Sequence, residues 1–406
     1  MELSLPEARA CVVRAAVAQR HRAASERVAL TEAWGRFLAE EVLADRDQPP
    51  FARALRDGFA VRSADLAAAT PLRVAGLIRA GDVSALTLHP GECVEIMTGA
   101  AVPAGADAVL MVEHATREDD CILPRRGLTP GENVAAAGSE ARAGDGIVRA
   151  GQRVDAATLA LLAAVGCIQP QVGVAPRVAV LPTGDELVAP ETRPAATQIR
   201  NANGPALQAL VRRAGGVPVV HTPAQDESSA LQRSIQAALA SPAPRILVLS
   251  GGVSAGKFDL VEPVLAAAGW QCQFDAVRLR PGKPCVFGTL GEILIFGLPG
   301  NPLSTMHTFE LFVRPAIEIL AGADPERLEP PWLGAALGFD YRGQDLPLTV
   351  FLPVRLRRGF DQGGIEAVPY HGSADLVAAA AADAYLVVPE HCTTLAKGTI
   401  AQVFPK

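Results

Sequence analysis

Three stretches in the second half of the chain share one pattern, in which a run of apolar, largely β-branched residues ends in a glycine-rich turn with polar groups. They are RVAVLPTGDEL (177–187), RILVLSGGVSAGKFD (245–259) and ILIFGLPGNPLS (293–304). Short continuous apolar runs are typical of buried parallel strands. Glycine-rich turns at the carboxyl ends of such strands present backbone N–H groups to anions. The pattern therefore predicts a doubly wound sheet that holds a phosphate-like or oxyanionic ligand.

Amphipathic segments separate these runs. Residues 205–213, 227–240 and 260–268 place apolar side chains at helical spacing, and alternation of strands with such helices is typical of βαβ units. We predict a mostly parallel α/β domain over residues 176–322.

The rest of the chain predicts three further domains around this one. A helical pattern from Leu5 to Ala44, together with a helix at 155–165 that Gly166 closes, indicates an extended helical or linker domain of residues 1–46 plus 140–175. Short apolar runs between turn signals predict an inserted β-rich domain at 47–139. Similar runs predict a small, barrel-like C-terminal β domain at 323–406. The predicted class is a multidomain α/β protein.

Composition and charge exclude several classes of partner. Of the 406 residues, 49% are hydrophobic and 20% charged, as in ordinary globular proteins. A net charge of −6 argues against binding to nucleic acid or an anionic membrane. Seven scattered cysteines, without a C-x-x-C pair, favour a reduced compartment. Because no signal peptide or long apolar span is found, we expect a cytoplasmic protein.

Carboxylates gather at the predicted strand ends, where a phosphate ligand would repel them unless a cation lies between. They are Asp185, Glu186, Asp226 and Asp259. This combination suggests Mg²⁺ bridging ligand phosphates. Simpler interpretations stay open, because Thr183 and Glu186 also form a helix capping box and Asp226 is a plausible helix N-cap.

The other candidate ligand-binding residues lie in the same turns and in a rigid Arg-Pro-Gly-Lys-Pro segment. The small residues let the backbone approach a ligand, and the cations suit an oxyanion. A tight turn, a solvated loop or a plain helix start would explain each turn equally well when it is taken alone. The candidates are Thr183, Gly184, Asp185, Ser250, Gly251, Gly252, Ser254, Arg280, Pro281, Gly282, Lys283, Pro299, Gly300, Asn301 and Ser304.

Taken together, the motifs resemble the molybdopterin molybdotransferase family, the bacterial relatives of the gephyrin E domain. The four-part layout matches as well, and the motifs occur in the family's order. The matching segments are DGFAV (57–61), IMTGA (96–100), TGDE (183–186), SGGVS (250–254), PGKP (281–284), GLPGNP (297–302) and HGS (371–373).

The resemblance implies an enzyme that takes adenylylated molybdopterin and molybdate, uses Mg²⁺, and releases AMP. It also implies a homodimer whose site combines the α/β domain of one chain with the β domains of the other. Transient contact with other proteins of molybdenum cofactor biosynthesis is expected too. By the same analogy the catalytic residues are Asp57, Thr98, Glu186, Asp226, Asp259 and Lys283, with Glu186, Asp226 and Asp259 as metal ligands and Ser304 and Ser373 as binding residues.

Several positions depart from the family pattern. The family's arginine at Pro353 is associated with the molybdate pocket, and proline offers neither charge nor donor; Arg355 is a possible replacement. The other departures are Ala52, Ala54, Ala135, Ala136, Ala137, Asn201 and Lys257. Two alternatives therefore stay open. One is a weakened paralogue that carries molybdopterin or its nucleotide form, and the other is a nucleotide-binding enzyme of unrelated chemistry.

Overall fold

The computed structural model describes residues 1–20, 24–68, 70–83, 85–240, 243–252, 260–328, 331–357, 359 and 363–406. Its contacts divide the chain into two compact units. The α/β unit comprises Met1–Glu40, Ala150–Asp155 and Gln169–Lys406, and the β-rich unit comprises Glu41–Arg149 and Ala156–Ile168. The finer four-domain division stays a prediction.

A six-stranded sheet forms the centre of the α/β unit. Its first four strands are parallel and its last two antiparallel. The three strands predicted from the apolar runs are neighbours, so their carboxyl ends lie at one edge of the sheet. The strand order is Val217–Val220, Arg177–Pro182, Ile246–Ser250, Ile293–Leu298, Val286–Leu290 and Gln271–Phe274.

Helices cover both faces of this sheet because successive side chains of each strand point to opposite faces. Val178 and Val180 belong to one buried cluster, and Ala179 and Leu181 to another. The first cluster includes side chains of the helices Leu5–Arg20, Asn203–Arg213 and Pro302–Thr308. The helix Pro302–Thr308 continues into a π-helical segment, Phe309–Val313, and then into the helix Arg314–Leu320, and both of these also contribute to the cluster. The second includes those of Ser228–Ala240 and Val261–Ala267. The predicted mixed α/β class is confirmed.

A second sheet occupies the C-terminal part of the α/β unit. A bridge between Leu337 and Ile365 connects its two ends. Short helices Leu376–Ala381 and Pro325–Arg327 accompany it. The strands, in sheet order, are Gly364–Ala367, Thr349–Arg357, Ala384–Val388, Ile400–Pro405 and Leu333–Ala336, with Leu279–Arg280 also paired to Thr349–Arg357.

Short strand pairs complete the α/β unit and hold its loops in register. They are Glu2–Leu3 with Ala276–Val277, Ser25–Arg27 with Gln171–Gly173, Leu187–Val188 with Ile199–Arg200, and Tyr341–Arg342 with Thr394–Leu395.

The β-rich unit has its own six-stranded sheet, with a buried apolar cluster on each face. Its helix, Ala156–Ala164, is followed closely by Gly166, which adopts the left-handed conformation (φ +71°). Two strand pairs, Val42–Leu43 with Gly146–Val148 and Arg53–Ala54 with Val134–Ala135, accompany the sheet. The sheet order is Ala108–Met111, Gly58–Val61, Glu92–Ile96, Leu72–Ile78, Cys121–Pro124 and Ala115–Glu118.

Two local predictions are wrong. The first helix ends at Arg20 rather than continuing to Ala44, because Ser25–Arg27 pairs as a strand with Gln171–Gly173. The capping box at Thr183–Glu186 starts no helix, because the backbone N–H of Thr183 donates to Ser250 O at 3.0 Å and the chain turns into a short strand. In both places a partner distant in sequence overrides the local signal.

Candidate functional site

A cavity of about 640 Å³ opens at the carboxyl ends of the three central strands. Two carboxylates, those of Glu186 and Asp226, line it together with one cation, Arg200, and we call it the acidic cavity. The predicted residues that also line it are Thr183, Gly184, Ser250, Gly251, Gly252, Pro299, Gly300 and Asn301. The three turns therefore meet at one cavity through these residues.

Close backbone contacts hold the three strand ends together. Gly251 donates its N–H to Leu298 O at 3.0 Å, and it adopts a left-handed φ of +102°. A Cβ atom at Gly251 would lie 2.8 Å from the Thr183 carbonyl oxygen. Glycine is therefore required here, both for its conformation and for the close approach of two strand ends.

Asp226 is held by reciprocal hydrogen bonds with Asp185. The backbone N–H of Asp226 donates to Asp185 Oδ1 at 3.1 Å, and that of Asp185 donates to Asp226 Oδ2 at 3.4 Å. The next helix is capped instead by Glu227, whose carboxylate accepts from the N–H groups of Ser229 and Ala230. The N-cap interpretation of Asp226 is therefore not needed, and Asp185 acts by positioning Asp226 rather than by lining the cavity.

The donor set of the acidic cavity suits Mg²⁺ only in part. Glu186 and Asp226 supply hard oxygen atoms, and Mg²⁺ commonly takes one or two carboxylates together with substrate phosphates and water. No group of three or more His, Cys, Asp or Glu side chains is arranged for a metal within the described ranges. Asp259 and Ser254, the other predicted members of this site, lie outside the described residues.

Two asparagines of the acidic cavity add to the predicted set. Asn201 Oδ1 accepts from the N–H of Gly204 at 2.9 Å, so this departure from the family's aspartate keeps the bond that positions the helix start. Asn203 was not predicted. Its Nδ2 donates to Ser250 Oγ at 2.8 Å and to Gly300 O at 2.7 Å, and it thus connects two strand ends.

A second cavity, of about 770 Å³, adjoins the first. Arg280, Lys283 and Arg342 line it, and none of its described lining residues is acidic; we call it the basic cavity. Lys283 Nζ forms an ion pair with Glu2 Oε1 at 3.0 Å. The predicted residues found here are Arg280, Pro281, Gly282, Lys283, Pro299, Asn301, Ser304 and Ser373.

Two tyrosines of the basic cavity are suited to donate hydrogen bonds. Burial raises the pKa of Tyr341 and Tyr370, and the positive charge of Arg280 partly opposes that rise in each. Both hydroxyls therefore stay protonated and available as donors at neutral pH.

Pro284, Pro299 and Asn301 line both cavities and mark where they meet. Asn301 Nδ2 donates to Ser373 Oγ at 2.8 Å, which ties the third strand end to the C-terminal sheet region. The sequence predicted one pocket for amides, acids and Lys283. The structure instead places the acids Glu186 and Asp226 in one cavity and Lys283 in its neighbour.

Asp57 and Thr98 form a site of their own in the β-rich unit. Asp57 Oδ1 accepts from the backbone N–H of Thr98 at 2.7 Å and from its Oγ1 at 2.8 Å. These two bonds, the backbone one first, hold the pKa of Asp57 below its usual value. Asp57 is therefore a fixed, ionised carboxylate at neutral pH.

Comparison with known families and relatives identifies the chain. It matches the MoeA N-terminal region (domain I and II) over residues 3–166, a probable molybdopterin binding domain over 179–319, and the MoeA C-terminal region (domain IV) over 340–406. A Staphylococcus epidermidis protein named molybdopterin molybdenumtransferase is 33% identical over 382 residues, which span 92% of this chain and 89% of the relative. The chain belongs to the molybdopterin molybdenumtransferase (MoeA) family.

Other relatives agree. A Staphylococcus aureus molybdopterin molybdenumtransferase is 33% identical over 370 residues, covering 89% of this chain and 86% of the relative. The MoeA protein of Pyrococcus horikoshii OT3 has a solved structure that superposes with a TM-score of 0.79 at 27% identity and covers the whole of both chains. The family resemblance predicted from the sequence is confirmed.

Most residues that depart from the MoeA pattern take part in the structure through their backbone rather than their side chains. Pro353 is buried within the strand Thr349–Arg357, and neither it nor the exposed Arg355 lines the basic cavity. Ala54 and Ala135 form part of a strand pair in the β-rich unit, and the N–H of Val102 donates to Ala52 O. The carbonyl oxygen of Ala136 accepts from the N–H of Ser139 at 3.2 Å, nothing in the structure explains Ala137, and Lys257 lies outside the described residues.

Within the described part of the chain, no helix combines the length and the apolar character that a bilayer span requires.

Proposed function

We propose that the chain is a molybdopterin molybdenumtransferase of molybdenum cofactor biosynthesis. It transfers molybdenum from molybdate to adenylylated molybdopterin and releases AMP. The observation that carries the proposal is the meeting of two cavities with opposite charge at Pro299 and Asn301. One suits a metal-bound nucleotide phosphate and the other suits an oxyanion.

The acidic cavity is proposed to bind the nucleotide end of the substrate. Backbone groups at the three strand ends contact the phosphates, and Glu186 and Asp226 hold Mg²⁺. When bound, Mg²⁺ neutralises charge on the phosphoanhydride and makes AMP a better leaving group. Asp185 keeps Asp226 directed for this role through their paired hydrogen bonds.

The basic cavity is proposed to hold molybdate beside the dithiolene sulfurs. Arg280 and Lys283 supply positive charge, and Ser304 and Ser373 add hydroxyl donors. Its volume of about 770 Å³ exceeds what a lone oxyanion fills and suits a pterin-sized guest as well. Holding both reactants at one junction replaces an encounter in solution with an oriented reaction.

A transferase is favoured over a carrier. Relatives that cover about nine tenths of the chain carry the transferase name, and both charged sets remain in place. Pro353 lines neither cavity, and Asn201, which stands in the acidic cavity where the family has an aspartate, keeps the hydrogen bond to Gly204 that positions the helix start.

AMP release tests the proposal directly. We expect the purified chain, given adenylylated molybdopterin, Mg²⁺ and molybdate, to release AMP over many turnovers. Asp226→Asn removes a charged metal ligand and is expected to slow release about tenfold at limiting Mg²⁺, with partial recovery at high Mg²⁺. The readout is AMP quantified by chromatography against Mg²⁺ concentration.

The matched control is Asp340→Asn, which changes an acid outside both cavities and should leave the Mg²⁺ dependence unchanged. Tight substrate binding without AMP release by the parent chain would instead establish the carrier function. Equal Mg²⁺ dependence in the parent and Asp226→Asn would remove Asp226 from the metal site.

We further propose a homodimer in which Asp57 and Thr98 of one chain complete the cavities of its partner. Asp57 belongs to neither apolar cluster of the β-rich unit, so core packing does not explain why its carboxylate is held in place. If the site is shared, Asp57→Asn and Asp226→Asn damage it from different chains. A mixed dimer then contains one intact site.

Mixing the two weakened variants at limiting Mg²⁺ is therefore expected to raise activity. After subunit exchange at equal concentrations, half the dimers are mixed and each has one working site, so about a quarter of parental AMP release should return. The measurement is AMP release before and after exchange, with each variant mixed with itself as the control. No recovery, despite exchange shown by mass spectrometry, would place Asp57 and Asp226 in the same site of one chain.

A further inference from the structure

Arg342 lines the basic cavity from an element that none of the sequence motifs includes. It lies in the short strand Tyr341–Arg342, which pairs antiparallel with Thr394–Leu395. The next residue, Gly343, donates its N–H to Thr393 O at 2.8 Å. The backbone on both sides of Arg342 is thus fixed by hydrogen bonds, and its side chain starts from a defined position at the cavity wall.

Gly343 makes that position possible. A Cβ atom there would lie 2.0 Å from the hydroxyl oxygen of Tyr341, so only glycine allows the tyrosine ring to fold over the turn. The phenol and the guanidinium of consecutive residues therefore both reach the same cavity.

The charges of this cavity are unbalanced. Of its three cations, Lys283 is paired with Glu2, whereas the side chains of Arg280 and Arg342 have neither a hydrogen bond nor an ion pair with any described residue. The described lining residues include no carboxylate that could pair with them. Two unpaired guanidiniums that face one cavity attract a group of double negative charge.

We infer that Arg342 acts with Arg280 as a binding residue for a tetrahedral oxyanion in the basic cavity. Each guanidinium offers two N–H groups in a plane, which suits two oxygen atoms of such an anion. The inference rests on the proposed function for the source of the anion. Molybdate and the phosphate group of the pterin substrate share this chemistry, and the experiment separates them.

The test uses the full chain and two probes, sodium molybdate and inorganic phosphate. Phenylglyoxal modifies accessible arginines, and peptide mass mapping gives the rate at each arginine separately. At ten times its dissociation constant, the bound anion should slow modification of Arg342 and Arg280 about tenfold. Arg357, an exposed arginine outside the cavity, is the internal control and should react at an unchanged rate.

Calorimetric titration of variants gives the second readout. Arg342→Ala is expected to weaken binding of the effective anion about tenfold or more, and Arg342→Lys less, because lysine keeps the charge but loses the planar pair of donors. Arg357→Ala should bind as the parent does. Circular dichroism spectra that match the parent exclude unfolding as the cause.

Protection of Arg342 by molybdate alone identifies the metal oxyanion as its ligand, and protection by phosphate alone identifies the substrate phosphate. Protection of Arg280 without Arg342, together with unchanged affinity in Arg342→Ala, would overturn the inference. Because protection needs no turnover, a parent chain that releases no AMP would disprove the proposed function while leaving this result readable.

Discussion

Lowering the pH from 7 to 5 is expected to destabilise the α/β unit by about 2 kcal/mol through one side chain, His307. His307 lies in the helix Pro302–Thr308 and is completely buried. Its ring packs against Phe351 and Tyr385, with centroid distances of 4.0 and 5.1 Å. Neither ring nitrogen has a hydrogen-bond partner among the described residues. Burial lowers the pKa of His307 to about 3.

Stability falls on acidification because only the unfolded chain binds the proton in this pH range. In the folded chain the imidazole stays neutral down to about pH 3, whereas in the unfolded chain it is protonated below its ordinary pKa of about 6.5. Between these values the unfolded state holds one more proton, so stability falls by about 1.4 kcal/mol for each pH unit. From pH 6.5 to pH 5 the loss is about 2 kcal/mol.

The variant His307→Leu should remove this loss. Leucine fills much of the same space without a titrating group, and no hydrogen bond to a described residue is sacrificed. Urea unfolding at pH 7 and pH 5 measures the effect. Tryptophan fluorescence reports the α/β unit alone, because all three tryptophans, Trp34, Trp270 and Trp332, lie in it.

Other groups titrate in both parent and variant, so the difference between them isolates His307. If His307→Leu loses as much stability as the parent between pH 7 and 5, the neutral buried imidazole is not the cause.

The central strands and their turns were predictable because their signals are local. A continuous apolar run such as 177–182 has no polar face and must be buried on both sides, and a glycine-rich turn marks its end. The alignment of the three strands joins residues far apart in sequence, yet it could be predicted because parallel strands place their carboxyl ends at the same edge of the sheet. The helix predicted to reach Ala44 failed where pairing with a distant strand decided the structure.

The candidate site was predictable in membership but not in arrangement. Residues in the three turns were found because glycine-rich turns with acids or cations follow three apolar runs in succession. Their separation into an acidic and a basic cavity depends on tertiary placement of Pro284 and Pro299, which line both. Arg342 and Asn203 had no signal of their own, since an arginine in a two-residue strand and an asparagine at a helix start are ordinary in sequence.

The side chain of Asn203 holds two strand ends together at the acidic cavity. Its side-chain amide uses both N–H groups, one on Ser250 Oγ and one on Gly300 O, at 2.8 and 2.7 Å. It thereby connects the second and third strand ends across the floor of the acidic cavity. Its Oδ1 is buried and has no partner within the described ranges, so the two bonds of Nδ2 are what fix this side chain.

Asn203→Ala should therefore weaken binding of adenylylated molybdopterin roughly 30- to 100-fold. The variant loses two hydrogen bonds and leaves Gly300 O without a donor, a change of roughly 2–3 kcal/mol. Asn203→Asp should bind more weakly still, because it keeps the shape but adds negative charge beside Glu186 and Asp226.

Gln198→Ala, which removes an amide outside the cavity, should bind as the parent does. Equilibrium dialysis at fixed Mg²⁺ measures the affinities. Parental affinity in Asn203→Ala would mean that the strand ends hold their positions without this side chain, and the backbone bonds at Thr183 and Gly251 would then suffice.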